Sequence, residues 1–434
     1  MNREKKRNLI TLGSLILITA LTFIIGFFVR GYRLDINNQI FQPTGLLATT
    51  SIPEGAQVWV NDKLKTATNE TVVLSPDNYQ IEIKKPGFTS WRKEITIKRE
   101  VVTEINVRLF PIAPDLRALS FTGASQPQIS PDGTRLVYFV PPREQLTNST
   151  SKQAETQNTP LPINQENQTT NTATLTETKT GLWLINLAER PLSRSFQPRV
   201  LVELTPGFDF EKAVVRWSPD SRKIMMIVPK TEKTNSYFLF DTNQAYDFTT
   251  PPLIGEKEDR AMAVLADWQK QEELSFQQAF EKLPEKLQDV LANKTISLSF
   301  SPDETRILYQ AKEEVFLPER FITREIISAS TQKESRQLKP GYWYVYNNKE
   351  DKNFLISDNQ EIKINWLPTS RHLLLIKDSV SIEAIEYDGH NQTAIYSGPF
   401  VNNYVFPFPS GRQLLILASL NKNQPPDLYS VSLE

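Results

Sequence analysis

Asp132, Asp220 and Asp303 each follow a Ser-Pro pair, so three carboxylates recur at one place in a repeated pattern. Carboxylates of this kind could serve as acid/base groups or as calcium ligands. Repetition at the same turn position favours a local task, because a turn Asp accepts hydrogen bonds from the backbone just ahead of it. His372 and His390 are the only histidines, and cysteine is absent. Thiol catalysis, disulfides and cysteine-ligated metals are therefore excluded. The two histidines, one beside a strand and one in the turn Asp388-Gly389-His390, read as ordinary surface residues. Trp59, Tyr79, Phe88 and Trp91 could stack on a sugar, but a small sandwich needs such aromatics for its core and rim. The chain contains no Gly-x-Ser-x-Gly elbow, phosphate loop, kinase motif set or His-Glu-x-x-His. The expectation is a non-enzyme, with no catalytic, cofactor-binding or metal-binding residue assigned.

The elements that carry these residues begin with an apolar one. Residues 9–29 run 21 positions without a charge, enough helix to cross a hydrocarbon core of about 30 Å. Arg3, Lys5, Lys6 and Arg7 precede the run, which predicts a cytoplasmic tail over 1–8 and an extracytoplasmic remainder. The run is longer than a signal-peptide core and lacks a small-x-small cleavage site, so an uncleaved single-pass anchor in the lipid bilayer is expected. Residues 30–43 read as a linker. Lys plus Arg (49) nearly balance Asp plus Glu (50), which gives no electrostatic case for nucleic acid.

Beyond the linker, period-2 alternation predicts strands at 57–60, 79–84, 94–97 and 105–109. Turn residues separate them at Pro53-Glu54-Gly55, Asn61-Asp62, Ser75-Pro76-Asp77-Asn78 and Lys85-Pro86-Gly87. Ile52-Pro53-Glu54-Gly55-Ala56, Val58-Trp59-Val60-Asn61-Asp62 and Lys84-Lys85-Pro86-Gly87-Phe88 together resemble the PEGA domain over residues 44–112. The resemblance implies a small antiparallel extracytoplasmic β-sandwich used as a spacer or interaction module, with no activity. Two departures stand out: the first hairpin lacks its usual Gly, and Asp77-Asn78 replaces the Gly before Tyr79, where Asn could supply a positive φ.

From 116 to 434 the chain repeats a strand, a turn and a second apolar strand. The turns are Ser130-Pro131-Asp132-Gly133, Ser218-Pro219-Asp220-Ser221 and Ser301-Pro302-Asp303-Glu304, with weaker copies at Leu367-Pro368-Thr369-Ser370 and Phe408-Pro409-Ser410-Gly411. Four strand candidates per roughly 40–45 residues are the blade of a β-propeller. Five blades are recognisable, and a diverged sixth remains open. Residues 117–121 are expected to complete the last blade, because closure removes exposed strand edges. Trp217, Phe300 and Trp366, just ahead of the turns, read as core. These repeats are similar to TolB-like propellers, which implies an envelope binding propeller.

Two insertions interrupt the blades. Residues 141–180 hold 21 Thr, Asn or Gln and no aromatic, and such a segment cannot bury enough apolar surface to order itself. Residues 256–293 predict two or three helices, with Met262, Leu265 and Trp268 at helical spacing and a capping box at Ser275 and Gln278. Pro284 suits the first turn of a further helix, whose apolar face is Leu287, Val290 and Leu291. The expected whole is an all-β ectodomain behind one transmembrane helix. Its expected function is a membrane-anchored extracytoplasmic scaffold that presents a propeller surface to an envelope protein or glycan. The alternative is a propeller-type glycan hydrolase or lyase with carboxylates converging on the central channel.

Overall fold

The computed structural model describes residues 3–29, 32–35, 40–141, 179–188, 196–203, 212–231, 234–246, 258–318, 320–321, 332–401, 404–420 and 425–434. Most of the 141–180 insertion lies outside these. The apolar N-terminal run is one helix, α1 (Arg3–Val29). Its side chains are described for residues 11–26, and all of them are exposed. Among the described residues, no helix is long and apolar enough to cross a membrane. The run expected to span the membrane at 9–29 is thus helical, but a membrane crossing there is not supported. The linker at 30–43 is not featureless, since Tyr32–Asp35 and Ile40–Pro43 pair as an antiparallel hairpin.

Alternation becomes strands where it predicts them. One sheet orders Lys63–Ala67, Gln57–Val60, Asp77–Lys84 and Trp91–Ile97, and a second orders Glu70–Leu74, Gly45–Ile52 and Val102–Arg108. Leu47, Val58, Ile81, Ile83, Trp91, Ile95 and Val107 are the inward side chains of these strands and share one core. Asn61 and Asp62 both take positive φ, the two-residue turn that matches strand twist, so the missing hairpin Gly is replaced without loss. Two expectations are corrected. Asn78 needs no positive φ, because the strand already begins at Asp77; its Oδ1 accepts from Thr96 Oγ1 at 2.7 Å. The sandwich is also not wholly antiparallel, since Gly45–Ile52 pairs in parallel with Val102–Arg108. The chain enters and leaves the module on neighbouring strands, and no hairpin can join strands that run the same way.

By packing, the chain divides into two units: Met1–Arg117, Leu274–Leu415 and Ser430–Glu434 in one, Ala118–Glu273 and Ile416–Tyr429 in the other. The second unit holds two antiparallel meanders. The first blade is Ser125–Ile129, Arg135–Val140, Gly181–Asn186 and Arg199–Glu203. The second blade has three described strands, Val214–Trp217, Lys223–Thr231 and Thr234–Asp241. Val137, Phe139, Leu184, Trp217, Met226 and Phe240 are buried together between them.

The first unit holds the sandwich and two more meanders. The third blade is Thr295–Phe300, Arg306–Ala311, Trp343–Asn347 and Lys352–Ser357, and the fourth is Lys363–Trp366, His372–Lys377, Ser381–Glu386 and Thr393–Ser397. A fifth sheet orders Leu116–Ala118, Asp427–Ser432, Gln413–Ala418 and Val405–Pro407. The segment ahead of the first repeat therefore supplies the strand that the last repeat lacks. No sixth blade occurs among the described residues.

The helical insertion differs from expectation in its breaks. Ser275 and Gln278 lie inside one continuous helix, α2 (Glu258–Phe280), and cap nothing. Phe276 and Phe280 stack one turn apart, 5.8 Å between centroids, so side-chain contact carries the helix past the local capping signal. Pro284 is the N-cap of α3 (Glu285–Lys294), with ψ 135°, and not its first helical residue. Ala261 and Trp268 of α2 pack on Met225 and Tyr237 of the second blade. Leu287 and Leu291 of α3 pack on Ile307, Tyr309 and Tyr344 of the third. The insertion is thus docked on its own blades.

Candidate functional site

The three repeated aspartates are held by their own turns. Ser130 Oγ donates to Asp132 at 2.6 Å, Ser218 Oγ to Asp220 at 2.6 Å, and Ser301 Oγ to Asp303 at 2.7 Å. The backbone N–H groups of Thr134, Arg222 and Thr305 donate to the same carboxylates at 3.0–3.1 Å. Burial opposes charge at Asp132 and Asp303, yet these donors hold both carboxyls below the ordinary range; at Asp220 the Ser218 hydroxyl leads. The last corner has positive φ in all five copies, at Gly133, Ser221, Glu304, Ser370 and Gly411. Asp303→Ala should lower stability by about 1–2 kcal/mol, read from the urea midpoint, and leave any ligand affinity unchanged.

The same turns lock blade to blade. In the second unit, Asp132 N donates to Ser221 Oγ at 3.1 Å, and Arg135 donates to Ser221 O at 3.1 Å. In the first unit, Asp303 N donates to Ser370 Oγ at 3.0 Å, and Arg306 to Ser370 O at 3.1 Å. Trp217 Nε1 reaches Gln128 O at 3.3 Å, and Trp366 Nε1 reaches Ser299 O at 3.4 Å. These indoles are therefore seam residues as well as core.

At the fourth blade the position of Arg135 and Arg306 is taken by His372. The carbonyl that an arginine there would reach, Gly411 O, instead accepts from Arg108 of the sandwich. Phe110 of the sandwich meets the His372 ring edge-on, 5.5 Å between centroids. Arg371 returns the contact by donating to Asn106 O at 3.1 Å. The sandwich thus supplies the arginine that the repeat has lost.

Beside this contact lies a buried cluster of ionisable groups. Lys93 Nζ is 2.5 Å from both Glu386 Oε2 and Asp388 Oδ2, and the three side chains are 8%, 10% and 0% exposed. Trp91 Nε1 donates to the other Glu386 oxygen, and Arg92 N donates to Asn391 Oδ1 at 3.0 Å. Burial would discharge Lys93, but the two carboxylates outweigh it and hold the ammonium above its ordinary range. Burial likewise works against charge on Asp388, while His390 and Lys93 hold its carboxyl down at about 2. His372 is buried, not on the surface as expected. Burial first, then Arg108 and Lys93, push its imidazole down to about 3. His390 is half-exposed, and its hydrogen bond to Asp388 raises it.

A cleft of about 1000 Å³ opens along this contact, lined by Phe88, Trp91, Arg108, His372, Glu386 and Asn391 among others. Its acids are committed: Glu386 to Lys93 and Trp91, and Glu82 to Arg92 at 2.6 Å and Lys84 at 2.7 Å. Asn391 Nδ2 is buried without a hydrogen-bond partner. The arrangement offers amide and aromatic recognition and holds no free acid/base pair. No group of metal ligands occurs among the described residues. Trp91 is core, whereas Trp59, Tyr79 and Phe88 are partly buried at the rim.

The PEGA domain family matches residues 44–112. The sandwich is a PEGA domain. No curated protein matches the chain by sequence. Among solved structures, TolB from Acinetobacter baumannii aligns at 8% identity over 88% of this chain and 64% of its own, with a TM-score of 0.22. An acylaminoacyl peptidase from Pyrococcus horikoshii aligns at 12% identity over 74% of this chain and 40% of its own, TM-score 0.20. A putative TolB from Agrobacterium tumefaciens aligns at 10% identity over 90% and 98%, TM-score 0.18. The chain spans less than two thirds of the length of the first two. Lys93 and Trp91 join the PEGA domain here to the fourth blade, and Arg108 joins it to the turn of the fifth repeat. One signal for this was legible in the sequence: alternation puts Lys93 on the same strand face as Trp91, Ile95 and Ile97, an inward register for a lysine. Glu386 and Asp388, nearly three hundred residues away, carry no such signal.

Proposed function

We propose that this chain is a membrane-anchored, extracytoplasmic scaffold of the cell envelope whose PEGA domain and blades form one binding platform. In this reading residues 9–29 cross the membrane with the N-terminus in the cytoplasm. The blades are arranged as a propeller and present a protein or glycan surface. The observation that carries it is the buried joint of Lys93, Glu386, Asp388, Trp91 and Arg108, with the open cleft beside it. A joint of this kind holds a recognition surface at fixed geometry, which reduces the ordering cost of binding. Commitment of the repeated aspartates to their turns, and of Glu82 and Glu386 to cations, favours binding over acid/base catalysis.

The chain has no native cysteine, so single cysteines can be placed cleanly. A photocrosslinker on Thr393→Cys, at the cleft rim, should capture one discrete partner from native envelope. The same reagent on Lys270→Cys, exposed on α2, should not. Identical adducts from both positions would overturn the reading. A membrane-impermeant maleimide should label Lys270→Cys on intact cells, and full protection would overturn the topology.

A further inference from the structure

The PEGA domain has two unlike ends. Val102–Arg108 runs parallel to Gly45–Ile52, so both strands start at one end and finish at the other. The finishing end is occupied by the fourth and fifth blades, through Arg371 on Asn106 O and Arg108 on Gly411 O. Among the described residues the starting end shows no such contact. There Val73, Leu46 and Val102 stand side by side across the three strands, in registers Leu46↔Val73 and Leu46↔Val102. Their side chains point outward and are 40%, 37% and 52% exposed, whereas Leu47 and Thr103, one residue on, are buried. No other row on this face joins three aliphatic side chains, although Ile52 at the far end is also exposed. The next row on the same face is Thr71, Ala48 and Glu104, and the one after contains Thr50 and Asn106. The turn at the same end carries exposed Lys98 and Arg99. It is tied to the start of the first strand by Glu100 N to Thr44 O at 3.0 Å and Leu46 N to Val101 O at 3.1 Å.

The chain path keeps this end close to the apolar helix. The hairpin Tyr32–Asp35 and Ile40–Pro43 pairs Tyr32 with Pro43, so the chain returns to within about 5 Å of where the hairpin began. Only three residue steps separate Val29 from Tyr32 and two separate Pro43 from Gly45. At about 3.3–3.6 Å per step, Gly45 lies within roughly 25 Å of the end of the apolar helix.

We propose that the starting end of the PEGA domain rests on the lipid headgroup layer, with Val73, Leu46 and Val102 dipping into the interface and Lys98 and Arg99 reaching the phosphates. This inference rests on the anchor reading of residues 9–29. Three half-exposed aliphatic side chains would bind a bilayer weakly if free. Tethered at this distance they need little affinity, because the anchor makes their encounter with lipid intramolecular. The contact would fix the height of the PEGA domain, and of the fourth blade joined to it, above the membrane.

The test uses full-length protein in phosphatidylcholine–phosphatidylglycerol vesicles, with single spin-labelled cysteines. Labels at Leu46→Cys and Val102→Cys should be shielded several-fold from an aqueous nickel chelate and enriched in oxygen collisions. The comparison is Ile112→Cys, an exposed apolar position after the last PEGA strand, 69% exposed. Leu17→Cys in α1 reports the anchor separately. If Leu17→Cys is in lipid while Leu46→Cys and Val102→Cys match Ile112→Cys, the interfacial contact is overturned and the anchor stands. If Leu17→Cys is itself aqueous, both fall.

Discussion

Replacing Lys93 with methionine should cost about 3–5 kcal/mol of stability, because it leaves Glu386 and Asp388 close together in a buried site without their cation. The size of the effect comes from the orphaned carboxylates and not from the attraction that is lost. Bringing two carboxylates and an ammonium out of water offsets most of their mutual stabilisation. It follows that Lys93→Met combined with Glu386→Gln and Asp388→Asn should recover most of the loss. Urea denaturation of the three proteins checks this. Equal destabilisation by the single and the triple variant would mean that Lys93 acts through packing alone. Trp91 would register the same event, since its indole donates to Glu386, and its fluorescence should shift as the joint opens.

The second large effect is acid lability set by His372. A folded pKa of about 3 against an ordinary 6.5 means that the unfolded chain binds a proton which the folded chain refuses. Stability is then full above pH 6.5 and is lost as pH falls towards 3. The loss is about 2 kcal/mol by pH 5 and about 4–5 kcal/mol at the limit. The joint's other groups separate from it. Asp388, held down at about 2, contributes stability that is lost only below its ordinary pKa near 4. His390 is raised, so its contribution is present at low pH and disappears as pH rises through its folded pKa; its exposure keeps it small. Among the joint's groups the slope between pH 6.5 and about 5 therefore belongs to His372, before the lowered carboxylates elsewhere begin to take up protons. Glutamine occupies the equivalent place in the fifth repeat, at Gln413, and His372→Gln should flatten the urea midpoint across that window. An unchanged slope would assign the lability elsewhere.

Both effects arise at a contact that local sequence patterns describe poorly. Alternation is a property of neighbours, so it located 57–60 and 79–84 correctly. The Ser-Pro-Asp turns located the blades because each turn satisfies itself. Gly45–Ile52, Lys63–Ala67 and Glu70–Leu74 are not legible in this way. The first gathers Thr and Ser on its inward face, and the other two are largely exposed edge strands. The parallel pairing leaves no local trace, because it joins residues more than fifty positions apart. His372 reads as a surface residue for a similar reason: the groups that meet it, the Phe110 ring and the Arg108 charge, belong to another domain. The capping signal at Ser275 was real as chemistry but was outweighed by aromatic stacking along the helix. Residues 256–293 were otherwise legible, because helical spacing and α3's apolar face are again local.

The parallel pair inside the PEGA domain also has a mechanical meaning. The chain arrives at Gly45 and departs after Arg108, on adjacent strands bonded over seven residue pairs from Leu46 and Val102 to Ile52 and Arg108. Tension between the N-terminal helix and the blades would draw these two strands along their axes in opposite directions. Every hydrogen bond between them would then be loaded together, as in a lap joint, whereas a hairpin in that place would peel one bond at a time. The domain is built to transmit a pull without lengthening.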